Sequence, residues 1–302
     1  MALLPKTLGS LAGTQQSETK LMNQPSSSHA DRFDAVSSDG TAIAYWRSGR
    51  SSGPAIVLLH GFALNHSVWD DVVGEPSLRE RFQLIAVDLR GHGDSGRPSE
   101  REAFQQGRLW ADDLQAVLQA AGLERPVVAA WSYGGRMLND YIRHYGTDGI
   151  SGINYIAAAT IADPTTLGVH HGCLADVCSD DPQTAAAARR VFMDDVLRVP
   201  ADSPQHKSLL ETLRSHDPRV LKWMRERPLD YDDLLKEVDV PALISHGAED
   251  SLLSVTHAHV LSGHLKQARL NVIDNAGHAP FISMPRAYSN ALSAFASACL
   301  SP

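Results

Sequence analysis

Ser132 stands where a serine can act as a nucleophile. The stretch Val127–Arg136 reads Val-Val-Ala-Ala-Trp-Ser-Tyr-Gly-Gly-Arg. Val127 to Trp131 form a short apolar run, as expected of a buried strand. After Ser132 and the glycines 134 and 135, Met137, Leu138, Tyr141, Ile142 and Tyr145 recur at helical spacing until Gly146. The pattern predicts strand, sharp turn and helix, with a hydroxyl at the tip of the turn facing the first free amides of the helix. Such a turn needs small residues two positions either side of the serine, and Ala130 and Gly134 supply them. This is the G-x-S-x-G nucleophile elbow with alanine at its first position.

A serine hydroxyl needs a base within hydrogen-bond reach, and the base needs an orienting partner. Two downstream stretches offer them. His246-Gly247-Ala248-Glu249-Asp250 follows the apolar run Ala242–Ser245, and Asp274-Asn275-Ala276-Gly277-His278-Ala279-Pro280-Phe281 follows Leu270–Ile273. His278 is the candidate base and Asp250 the candidate acid. Glu249 and Asp163 are the competing carboxylates, and Asp250 is also placed to cap a helix starting near Ser254.

The elements that must position these groups alternate. Arg32–Ser37 and Thr41–Arg47 read as two strands joined at Ser38-Asp39-Gly40. Ala55–Leu59 and Phe82–Val87 read as strands buried on both faces. The first ends in His60-Gly61-Phe62 and the second in a glycine-rich turn from Asp88 to Gly96. An amphipathic helix marked by Leu109, Trp110, Leu114, Val117 and Leu118 precedes the elbow, and Ile153–Ala158 is the next strand. From about 161 to 231 the strand pattern gives way to helical patches, with Asp181-Pro182 and Asp217-Pro218 as helix starts. A last helix spans roughly Arg286–Cys299. Alternation of this kind predicts an α/β fold with a mostly parallel sheet covered by helices. Ligands then bind beyond the C-terminal strand ends, where His60, Asp88, Ser132, Asp250 and His278 all fall.

The chain resembles the α/β-hydrolase-fold superfamily from about Phe33 onward, in its serine esterase, lactonase and cofactor-free haloperoxidase-like branch. The stretches that carry the resemblance are His60-Gly61-Phe62, the turn Asp88–Pro98, the elbow around Ser132, His246–Asp250 and Gly277-His278, in that order. The resemblance implies Ser132 as nucleophile, His278 as general base and then acid, and Asp250 as the orienting carboxylate. It also implies an oxyanion hole from the backbone amides of Phe62 and Tyr133, and a core of residues 31–160 and 232–302 with a helical cap over 161–231. His60, Trp131 and Phe281 are placed nearest the substrate pocket, with His60 also ordering the oxyanion loop. A serine at the elbow suits attack on a carbonyl, whereas relatives of this fold that attack saturated carbon carry aspartate there. The expected reaction is hydrolysis of a carboxylic ester or lactone of a small, mainly apolar substrate through an acyl-enzyme. Perhydrolysis and carbon–carbon hydrolysis are the alternatives within the fold, and a slow-turnover ligand receptor is the alternative outside enzymology.

Composition agrees with a small-molecule enzyme. The 302 residues carry a formal net charge of −8 with no basic stripe, which argues against a nucleic-acid partner. No run approaches the roughly 20 apolar residues of a membrane span. Three cysteines suit a reducing, cytoplasmic compartment rather than a disulfide framework. Residues 1–30 are rich in Ser, Gln and Thr and read as a disordered tail. Absence of arginine before Arg32 argues against a mitochondrial leader, and Met22 is a second candidate start. His170-His171 with Cys173 and Cys178 match no usual zinc spacing, so no metal is expected. No dinucleotide fingerprint or phosphate loop is present, and no cofactor is expected.

Overall fold

The computed structural model describes residues 30–300. The expected tail, the candidate start at Met22 and the leader question therefore fall outside the described residues, apart from Ala30. The strands are β1 (Asp31–Val36), β2 (Ala42–Gly49), β3 (Ala55–Leu59), β4 (Gln83–Val87), β5 (Val127–Trp131), β6 (Gly152–Ile156), β7 (Ala242–Gly247) and β8 (Ala268–Ile273). They form one sheet in the order β1-β2-β4-β3-β5-β6-β7-β8. β1 and β2 pair antiparallel, as do β2 and β4, and all other pairs are parallel. Every residue of β3, β4, β5, β6 and β7 is buried, which explains why they read as unbroken apolar runs rather than alternating ones.

Helices flank the sheet. Gly107–Ala120 packs on Gly134–Tyr145, and Pro285–Leu300 packs on β5 to β8. Gly122 and Gly146, which stop the first two, adopt positive φ of 64° and 72°, as helix-terminating glycines do. Among the described residues, no helix is long and apolar enough to cross a membrane.

Between β6 and β7 the chain is helical, with Cys173–Val177, Pro182–Val191, Pro204–Ser215 and Pro218–Arg225 joined by a wide turn at Phe192–Val196. Asp181 and Asp217 each accept a backbone N–H at the start of a helix whose first residue is proline, and Ser203 does the same before Pro204. The insertion is held to the helix after Ser132 by a buried polar cluster. Arg227 pairs with Asp140 at 2.6 Å, the Tyr231 hydroxyl donates to Asp140 at 2.9 Å, and Arg136 donates to the carbonyls of Arg227 and Pro228. Phe192, Met193, Leu209, Leu213 and Met224 are buried in the continuous core, so these apolar side chains serve packing, and Val191 and Trp223 lie partly buried against it.

A second seam joins core to insertion through imidazoles. His60 and His92 lie 5.3 Å apart between ring centroids, and His92 and His216 lie 4.6 Å apart. Burial pushes His60 and His216 down to about 4. His257, buried beneath Thr160 and Thr166, is likewise pushed down to about 4 by burial and by nearby His246. In the unfolded chain these rings titrate near 6.5. Between pH ~4 and ~6.5 the unfolded state therefore binds more protons, and stability rises with pH across that window. Each ring is expected to contribute on the order of 3 kcal/mol, complete above pH ~6.5 and lost by pH ~4. Urea midpoints measured from pH 4.5 to 7 should climb steeply; a flat series would mean the rings are not buried in their neutral form.

Candidate active site

The sheet order puts β3 beside β5, so the loop after Leu59 lies next to the turn after Trp131. Ser132 adopts φ +50°, a strained conformation for a residue with a side chain and the mark of a sharp strand-to-helix turn. Its N–H donates to the Ile156 carbonyl at 2.9 Å, and its own carbonyl accepts from Gly135 and Ala159 at 3.0 Å each. The turn is thereby fixed from both sides. A Cβ at Gly134 would lie 2.7 Å from the Leu59 carbonyl oxygen and 2.9 Å from that of His60. The neighbouring strand end thus requires a small residue at this position.

Three distant segments meet at this turn. His278 Nε2 lies 2.9 Å from Ser132 Oγ, and His278 Nδ1 lies 2.8 Å from Asp250 Oδ2. A carboxylate only accepts, so Nδ1 carries the proton and Nε2 is left to accept from the serine hydroxyl. All three side chains are buried; Ser132 keeps 7% of its surface exposed and His278 1%. Asp250 Oδ1 accepts the amides of Leu252 and Leu253 at 2.8 and 3.0 Å. Burial alone would raise the Asp250 pKa, but the facing charge of His278 and the N–H groups of His246 and His278 hold it well below the usual carboxylate range. The carboxyl is therefore an anion whenever the protein is folded near neutral pH.

The competing carboxylates are elsewhere. Glu249 pairs with Arg198 at the surface. Asp163 accepts from the Thr165 amide at 2.9 Å and starts the turn Pro164–Thr166. Asp250 bonds His278 but does not cap the helix Val255–His264, whose cap residue Ser254 makes no side-chain capping bond; Asp250 instead accepts the amides of Leu252 and Leu253 in the turn before it.

The Phe62 and Tyr133 rings lie 6.2 Å apart, and a Cβ at Gly61, next to Phe62, would come within 3.1 Å of the Ser132 Cβ. Among the described residues, neither backbone amide donates to a carbonyl or side chain. The Tyr133 side chain faces the insertion, its hydroxyl donating to the Met224 carbonyl at 3.2 Å.

His60, Trp131 and Phe281, expected at the pocket, expose at most 1% of their surface, as little as His278 does. His60 Nδ1 donates to the Gly61 carbonyl at 2.7 Å, and its Nε2 accepts the Leu89 amide at 3.0 Å. The ring thus ties the loop of Phe62 to the end of β4. Trp131 Nε1 donates to the His278 carbonyl at 2.8 Å, and Phe281 stands edge-on to it at 5.1 Å. A Cβ at Gly61 would come within 2.9 Å of the Trp131 ring, so only glycine lets the loop cross there. Asp88 likewise serves the turn, accepting the amides of His66 and Asp94 at 2.7 Å each.

One residue of the site carried no assignment from sequence. His246, inside β7, is 1% exposed and lies 3.1 Å from Asp250 Oδ2. Its place four residues before the acid was visible, but nothing local distinguishes a ligand of the carboxylate from a strand residue.

Among the described residues, no cluster of three or more His, Cys, Asp or Glu could hold a metal ion. Burial pushes both Cys173 and Cys178 up to about 11, so neither is a ready thiolate.

Comparison with known proteins agrees with this geometry. Over 238 residues the chain is 30% identical to the AB hydrolase superfamily protein YisY of Bacillus subtilis, covering 76% of this chain and 86% of that protein. It is 29% identical to a pimeloyl-[acyl-carrier protein] methyl ester esterase of Nitrosomonas europaea over 258 residues, covering 78% of this chain and 93% of the relative. The crystal structure of the esterase RhEst1 from a Rhodococcus species superposes with a TM-score of 0.81 and 30% identity, covering 89% of this chain and 99% of that one. Residues 56–291, from the second residue of β3 into the last helix, match the profile of the Alpha/beta hydrolase family. Sheet order, strained serine turn and sequence match converge, and the chain belongs to that family.

Proposed function

We propose that the chain hydrolyses carboxylic esters or lactones of small, mainly apolar substrates, using Ser132, His278 and Asp250. The observation that carries this reading is the unbroken chain of contacts from Ser132 Oγ through His278 to Asp250, at 2.9 and 2.8 Å. Ser132 Oγ attacks the acyl carbon as its proton passes to His278 Nε2. The acyl oxygen becomes negative and is held by the amides of Phe62 and Tyr133, with the N-terminus of Gly134–Tyr145 adding its positive end. The tetrahedral intermediate collapses, and His278 gives the proton to the departing alcohol oxygen. Water then gives a proton to His278 as it attacks the acyl-serine carbon, and His278 passes that proton to Ser132 Oγ as the ester bond breaks, releasing the acid and restoring the hydroxyl. Each step uses this chain's own groups and water.

Residues 161–231 act as the cap over this site in the proposal. Its contacts support that role: the His278 amide donates to the Val196 carbonyl at 3.0 Å, and Leu167 bridges to Leu253 beside the acid. The esterase names of the N. europaea relative and of RhEst1 support ester chemistry.

A panel of p-nitrophenyl esters of rising chain length, lactones and anilides tests the reading, with perhydrolysis followed in parallel. Short esters or lactones are expected to turn over repeatedly, and anilides to be at least a hundredfold slower. Preference for the anilides, or one slow turnover followed by arrest, would replace the proposal with an amidase or a receptor.

A further inference from the structure

His246 presents a second imidazole to the acid. Its Nε2 lies 2.8 Å from the Leu253 carbonyl oxygen and 3.1 Å from Asp250 Oδ2. Both neighbours only accept, so Nε2 bears a proton, which it donates to the Leu253 carbonyl while standing against Oδ2. The same Oδ2 receives the Nδ1 proton of His278 at 2.8 Å, while Oδ1 is filled by the amides of Leu252 and Leu253. The carboxylate therefore accepts three hydrogen bonds, and a second imidazole N–H stands against the oxygen that His278 uses.

That arrangement has an electrostatic consequence. An anion stabilises a protonated His278 by the charge it presents at Oδ2. An N–H group already standing against that oxygen offsets part of the charge, and in a buried site the loss is poorly screened. We propose that His246 is a positioning residue of the reaction: by holding its Nε2–H against Asp250 Oδ2 it keeps His278 unprotonated, and able to act as a base, to lower pH than an Asp–His pair alone would allow. The proposal rests on the function assigned above, because it concerns the base of that reaction.

The other groups around His278 do not supply this effect. His257 lies deeper, between Thr160 and Thr166, and burial keeps it neutral through the working range. Arg198 would contact a Cβ at Gly277, beside His278, but its charge is paired with Glu249. Trp131 meets the ring of His278 with a neutral face at 5.7 Å, and Ser132 offers a hydroxyl. Within the described residues, His246 is the group that shares the oxygen used by the base.

The test compares wild type, His246→Phe and His246→Gln by kcat/KM against pH on p-nitrophenyl acetate, and by NMR titration of His278. In His246→Phe, which lacks the donor, the acidic limb and the His278 titration should both move up by roughly half to one pH unit, with KM within about twofold. His246→Gln, whose amide N–H can reach Oδ2, should stay close to wild type. An unmoved His278 titration in folded His246→Phe would overturn the proposal. ¹⁵N shifts in wild-type protein provide a check that needs no variant to fold. At pH 8 they should show the Nε2–H tautomer of His246; the Nδ1–H tautomer there would overturn it. The NMR readings need no turnover, so an inactive enzyme would end the hydrolase reading without deciding this one.

Discussion

Ser132→Ala is expected to lower kcat on an activated ester by roughly 10⁵- to 10⁶-fold and to abolish labelling by a fluorophosphonate. The loss follows from geometry: Oγ is the atom 2.9 Å from His278 Nε2, and alanine leaves the base with no hydroxyl to deprotonate. The fold should persist. Alanine tolerates the φ of +50° at this position about as well as serine does, and the backbone bonds to Ile156, Gly135 and Ala159 do not involve the side chain. Residual hydrolysis above the water rate should survive, because the Phe62 and Tyr133 amides remain to polarise a bound carbonyl. Steady-state kinetics, labelling and a thermal melt on the same preparation decide the matter. Activity within tenfold of wild type, with the melt unchanged, would remove Ser132 from the chemistry.

Asp250→Asn should cost about 10⁴-fold in kcat and should also lower stability, since it leaves a buried donor facing a donor. The two amides on Oδ1 hold the carboxamide oxygen in place, so the NH₂ group must occupy the Oδ2 position. It would then face two ring N–H groups, from His278 and His246. His278 can resolve that clash by moving its proton to Nε2, where it points at Ser132 and cannot accept the serine's proton. His246 cannot follow, because the Leu253 carbonyl holds its Nε2–H. Asp163→Asn and Glu249→Gln, at a surface turn and a surface ion pair, should stay within about twofold of wild type. Kinetics on the three variants at one pH would reassign the acid if Asp163→Asn proved the most damaging.

Much of this was open to sequence reasoning for a simple reason. β3, β4 and β5 are buried on both faces, so each appears as an apolar run with a sharp end. The polar residues just past those ends could be marked as site candidates without knowing the sheet order. Proline after a capping side chain located the starts of Pro182–Val191 and Pro218–Arg225 for an equally local reason. Strand ends were less legible. β7 continues through His246 and Gly247, since a histidine breaks the apolar pattern without breaking the hydrogen-bond ladder.

By itself the sequence determined the alternation of strands and helices, the serine turn and the order of serine, acid and histidine along the chain. These depend on burial periodicity and on the backbone demands of a few residues, both of which act over short stretches. The tertiary structure decided which carboxylate meets His278, that His246 stands against it, and how deeply His60, Trp131 and Phe281 are buried. Such facts depend on which strands lie side by side and on how loops from β7 and β8 reach back to β5. That choice is made by packing of the whole core, where contacts between residues far apart in sequence outweigh any local preference.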